Sequence, residues 1–212
     1  LDVVSRILAD VRHRGDEAVR DYTRTITGVD LRDLEVGRNE IEAARARVDP
    51  SLLEALELAA SRIRAYHEAC AIHTGTQVID GQLGRRVIPL RRVGLYVPGG
   101  RYAYPSSVLM SAIPARTAGV DEVFVTTPTD SSGSVSPETL CACGIAGVDR
   151  VFRLGGAQAI AALAYGTDTV PRVDKICGPG NIFVTLAKKQ VFGTVAIDSL
   201  AGPSEVLIIA DE

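Results

Sequence analysis

The sequence has no surplus of positive charge, no long apolar run and little cysteine or histidine, and each shortage removes a class of function. Its 23 lysines and arginines are outweighed by 26 aspartates and glutamates, for a net charge of -3. That balance offers no basic field to draw in a phosphate backbone, which argues against nucleic acid as a partner. No apolar stretch approaches the roughly 18 to 20 residues needed to span a bilayer. The opening Leu1-Asp2-Val3-Val4-Ser5-Arg6 lacks a secretory pattern. No membrane partner and a cytoplasmic location are therefore expected. Cys70, Cys141, Cys143 and Cys177 are spread over a chain too large to need disulfide staples, so reduced thiols are expected. Cys141-Ala142-Cys143 lacks the second pair that a structural zinc site needs and reads as small residues buried in a helix. His13, His67 and His73 fall in no metal-ligand spacing; His67 reads as a helix-face residue and His73 as a loop residue.

What is present is the composition of an ordinary soluble globular protein, 212 residues with 46% hydrophobic and 23% charged content, enough for a sizeable core. From residue 2 to about 24, Val3, Val4, Ile7, Leu8, Val11, Ala18 and Val19 recur at helical spacing and predict one amphipathic helix. Asn39 with Glu42 reads as a capping box for a short helix ending near Val48. Asp49 before Pro50 reads as the cap of a longer helix with proline at its first position. Gln77-Val78-Ile79 and Arg86-Val87-Ile88 flank Asp80-Gly81 as a hairpin.

Beyond the hairpin the pattern changes. Val93 to Val97, Glu122 to Thr126, Arg150 to Leu154, Lys175 to Cys177 and Val195 to Ile197 read as short buried strands. Helix-like segments separate them, near 106 to 118, 137 to 146, 157 to 165 and 181 to 191. Such alternation predicts βαβ units and a parallel sheet with right-handed crossovers. The fold class is thus α/β: a helical N-terminal region with a hairpin over residues 1–92, then a Rossmann-like parallel sheet with helices on both faces over 93–200. Glu205 to Ala210 reads as another strand, which makes 201–212 the first strand of a further or returning α/β domain that is truncated.

Four glycine-bearing junctions carry the candidate chemistry: Tyr96-Val97-Pro98-Gly99-Gly100, Gly155-Gly156-Ala157-Gln158, Gly178-Pro179-Gly180-Asn181 and Ala201-Gly202-Pro203-Ser204. Each follows an apolar run, and three precede a helix-like stretch, the place where an open α/β sheet holds its ligand. As a dinucleotide fingerprint Gly178-Pro179-Gly180 fails, because Phe183 takes the third glycine position. Tyr96 offers a ring and a hydroxyl to a ribose or base, or is a core tyrosine. Gln158 reaches the sheet's carboxyl edge or faces solvent, and Asn181 meets a ligand or caps a helix. Ser204 has no histidine near it in sequence, which suits substrate hydrogen bonding rather than nucleophilic attack.

Longer motifs then resemble a known family. V-G-L-Y-V-P-G-G (93 to 100), P-S-S-V-L-M (105 to 110), P-A-R-T-A-G-V (114 to 120), the run from Gly155 to Thr167, the run from Val173 to Val191, I-D-S-L-A-G-P-S-E-V-L-I-I-A-D (197 to 211) and the earlier S-R-I-R-A-Y-H-E (61 to 68) are similar to histidinol dehydrogenase. The resemblance implies oxidation of L-histidinol to L-histidine through an aldehyde, with two NAD+ reduced in turn, by a zinc-dependent homodimer. It carries NAD binding onto Tyr96, Gln158 and Asn181 and a substrate contact onto Ser204. It also implies zinc ligands and a Glu-His acid/base pair downstream of Glu212, leaving no catalytic or metal residue within this chain, which alone is expected to turn nothing over. Two other readings stand beside it. An aldehyde dehydrogenase-like enzyme would need Cys177 as nucleophile, against its place in a buried strand. A non-catalytic NAD-binding or dimerisation module would need no chemistry at all.

Overall fold

The computed structural model describes residues 2–200, 202 and 205–210, apart from 73, 80, 82 and 101. The chain opens with α1 (Asp2–Arg14) and α2 (Asp16–Thr27), then α3 (Arg38–Ala44), a 3-10 turn (Arg45–Arg47) and α4 (Pro50–Cys70). A hairpin follows, β1 (Gly75–Val78) with β2 (Gly84–Val87). Then come β3 (Arg92–Tyr96), α5 (Pro105–Thr117), β4 (Glu122–Thr126), α6 (Pro137–Ala146), β5 (Arg150–Phe152), α7 (Gly156–Tyr165), β6 (Lys175–Cys177), α8 (Ile182–Val191) and β7 (Ala196–Ile197).

The five later strands form one parallel sheet in the order β5-β4-β3-β6-β7. Alternating side chains send its strands into two cores. Val93, Leu95, Val123, Val125 and Val151 pack under α3, α4, α5 and α6. Tyr96, Phe124, Phe152 and Ile176 pack under α1, α2, α7 and α8. The expected helices on both faces are present, and the N-terminal helices supply half of each layer. The chain winds outward from β3 through β4 to β5 and restarts on the other side with β6. β3 and β6 are therefore neighbours whose connections leave in opposite directions, the switch point of a doubly wound sheet.

Three local expectations need correction. The single helix over residues 2 to 24 is two helices, because Gly15 takes φ 55 and ψ -130, a backbone conformation closed to L side chains. Asn39 does not cap α3: Gly37 holds that position, its carbonyl accepting from the Glu40 and Ile41 amides, while Glu42 pairs with Arg38. Residues 205–210 form no strand, and Val206 to Ile209 are all exposed, because no strand of this sheet pairs with them. The Asp49 cap is as expected, its carboxylate accepting from the Ser51 and Leu52 amides. His67 lies on α4, whereas His73 and Asp80 of the hairpin turn lie outside the described residues.

The outer edge of β5 is not bare. Leu34 to Val36 lies against it, with Val36 N–H donating to Val151 O and Arg153 N–H to Leu34 O. The Arg150 guanidinium forks onto the Glu35 carboxylate at 2.8 and 2.5 Å. Covering an edge in this way removes a template for unwanted strand pairing. Among the described residues, no helix is long and apolar enough to cross a membrane.

Candidate functional site

Because every strand of the main sheet runs the same way, the ends of β3, β5 and β6 open on one edge, and three of the four candidate residues fall there. Tyr96 closes β3 and is buried, its side chain lying in the α7 core. Its hydroxyl accepts a hydrogen bond from Gly156 N–H, the first amide of α7, at 3.2 Å. Burial pushes the phenol above its ordinary pKa, and the Gly156 amide offsets part of that shift. The hydroxyl stays neutral and keeps its own proton to donate.

Gln158 stands two residues into α7 and is only 1% exposed. Its Oε1 is buried without a hydrogen-bond partner. The amide folds back over Gly156, where an added Cβ would stand 2.7 Å from that oxygen. Gly156 also has φ 64, a left-handed backbone conformation that favours glycine. An orphaned buried carbonyl costs about 1–3 kcal/mol, a cost that a donor from a bound ligand would offset.

Asn181 caps α8. Its Oδ1 accepts from Phe183 N–H at 3.0 Å and Val184 N–H at 3.1 Å. The cap reading of the sequence is thus realised, and the side-chain amide nitrogen remains on an exposed residue. Ser204 lies outside the described residues.

Two residues missed in the sequence hold this edge together. Gly178 follows β6 with φ 113, and an added Cβ would lie 2.1 Å from the Tyr96 carbonyl oxygen. Its N–H donates to Asp198 Oδ2 at 2.8 Å, and its carbonyl accepts from Lys188 Nζ at 3.0 Å. Lys188 and Asp198 also pair directly. Burial alone would raise the Asp198 pKa, but Lys188 and the Gly178 and Ser199 amides outweigh it and hold the carboxyl below the usual aspartate range. The signal for Lys188 was its position: it shares the apolar face of α8 with Val184 and Val191, where a solvated lysine does not belong.

On the opposite face, an open groove of about 560 Å³ runs beside α5 and reaches the same loop, lined by Val93, Leu95, Met110, Cys177, Gly178 and Asp198 among others. Burial, with Asp198 nearby, pushes the Cys177 thiol up. A raised thiol pKa argues against a thiolate nucleophile, and with it the aldehyde dehydrogenase-like reading. Cys141 and Cys143 are buried in α6, as expected of small core residues. Among the described residues, no three His, Cys, Asp or Glu side chains gather where they could hold a metal.

A doubly wound α/β sheet with polar side chains and glycine turns at its switch point defines the class as an open α/β protein, a fold that holds its ligands at that edge. Within that class, a family model described as histidinol dehydrogenase matches residues 1–212, and the chain belongs to the histidinol dehydrogenase family. It is 57% identical over 211 residues to the histidinol dehydrogenase of Dehalococcoides mccartyi strain CBDB1, covering 99% of this chain and 48% of that protein. It is 54% identical over 215 residues to that of Methanosarcina mazei, covering 100% of this chain and 49% of the relative. The crystal structure of histidinol dehydrogenase from Elizabethkingia anophelis superposes with a TM-score of 0.89 at 36% identity, over 96% of this chain and 48% of that one. The chain spans about half the length of the relatives it matches.

Proposed function

We propose that this chain forms the NAD-binding crevice of an enzyme that oxidises L-histidinol to L-histidine through histidinaldehyde. The observation that carries the reading is Gln158, a buried amide with an unpartnered oxygen at the switch-point edge of a chain in this family. Bound NAD would supply the hydride acceptor for both oxidations. Tyr96 would present a neutral hydroxyl, Gln158 an amide oxygen and Asn181 an amide nitrogen to it, and Ser204 would contact the substrate.

The residues here do not fit zinc, since no ligand cluster exists among the described residues, and no step is routed through a metal. In this reading zinc ligands, the acid/base pair and the homodimer partner lie beyond these residues. The test has two arms. NAD titration is expected to show binding that Gln158→Ala weakens about tenfold, the loss of one buried hydrogen bond to a ligand, with the far-ultraviolet circular dichroism unchanged. Histidinol-dependent NADH formation is expected in the intact enzyme with zinc. Normal NAD affinity in Gln158→Ala would overturn the crevice assignment, and NAD binding with no histidinol-dependent reduction would favour the non-catalytic module.

A further inference from the structure

Lys188 is the odd residue of α8. It is buried on the apolar face of the helix, among Val184, Ala187 and Val191. Helical side chains lean toward the N-terminus of their helix, and that lean brings Nζ back past the start of α8 to Gly178 O. Asp198, just after β7, accepts the N–H of the same glycine. Gly178 is thereby held at both its amide and its carbonyl by two side chains that also pair with each other.

Burying an ammonium and a carboxylate against one peptide is a costly way to gain stability, because desolvation consumes most of the attraction. What such an arrangement does well is fix geometry. The left-handed Gly178 sits in van der Waals contact with the backbone of Tyr96, and three residues later the chain reaches Asn181 and the first turn of α8. Rotation of either peptide flanking Gly178 would swing Asn181 relative to Tyr96.

We propose that Lys188 and Asp198 are positioning residues that clamp Gly178 and so set the spacing between Tyr96 and Asn181 for a bound dinucleotide. The inference rests on the NAD-crevice reading above.

The experiment compares the intact protein with Asp198→Asn, Lys188→Met and the double variant, with Gln158→Ala as the control for the crevice itself. Asp198→Asn is nearly isosteric and keeps an acceptor, so it is the milder variant and keeps the test decisive where Lys188→Met, which strands a carboxylate, costs more stability. NAD affinity is measured by titration on folded protein, and the Gly178 amide is followed by its nuclear magnetic resonance shift and hydrogen-exchange rate without ligand. The expected result is a shifted, faster-exchanging Gly178 amide and an NAD dissociation constant raised about tenfold, a loss typical of one charge-assisted contact. The three clamp variants are expected to lose similar amounts, because either half of the clamp fails without the other. Lower thermal stability with unchanged NAD affinity would make the pair merely structural and overturn the proposal, while a weakened Gln158→Ala in the same series would leave the crevice reading standing. Absence of NAD binding in the unmodified protein would overturn both.

Discussion

In the proposed crevice Asn181 would combine a helix cap with a ligand contact. Its oxygen is committed to the α8 amides, so any ligand contact must come from its nitrogen. The two roles separate chemically. Asn181→Asp keeps the oxygen cap and is expected to leave stability within about 0.5 kcal/mol of the parent, while Asn181→Ala is expected to cost about 1 kcal/mol of it. Both variants are expected to weaken NAD binding, since both lose the amide donor; urea titrations and NAD titrations side by side check the split. Asp198 carries the pH dependence. Its folded pKa lies below the usual aspartate value, so its stabilisation is present above that ordinary value and is lost as pH falls through the lower folded one. Asp198→Asn is therefore expected to be less stable than the parent at neutral pH and to converge on it in acid, as read from urea midpoints across that range.

At the scale of elements, the strands and helices from β3 onward were legible because buried apolar runs alternate with helical stretches at βαβ spacing. β4, α6 and β6 fall on the predicted bounds, and α5, α7 and α8 within a residue. What the pattern could not report was backbone dihedral. Gly15 sits inside a continuous amphipathic periodicity, and only its positive φ divides α1 from α2. There is room for a methyl, the nearest atom being Thr167 Cβ at 3.9 Å, so Gly15→Ala isolates the conformational term. It is expected to cost about 1–3 kcal/mol in denaturant titrations. The cap at Asn39 was misread because Gly37 offers the same entry geometry two residues earlier with no side chain to announce it. Of the candidate site, Tyr96, Gln158 and Asn181 were visible as polar residues at strand-to-helix junctions. Lys188 and Asp198 were not, because neither sits in a glycine motif and their partnership with Gly178 is tertiary.

For the molecule as a whole, the N-terminal helices are not an appendage. Val4, Ile7, Leu8 and Val11 of α1 are buried in the same core as α7 and α8, and Asp16 at the head of α2 accepts from the Thr169 hydroxyl. Deleting residues 1–27 is expected to leave a chain that cannot fold, checked by loss of a cooperative thermal transition, rather than a free-standing nucleotide domain. The same core contains its narrowest seam. Half of α7 is alanine, and a methyl added to Gly94 of β3 would come within 2.8 Å of Leu163 Cδ2. That helix rides on the sheet with almost no clearance, and it carries both Gln158 and the amide that meets Tyr96. Bulk inserted beneath it would lift Gln158 and the Gly156 amide together, so the proposed crevice cannot be reshaped from that side without trading away fold. Room for redesign lies across the sheet, on the open α5 flank, where a larger side chain meets empty space.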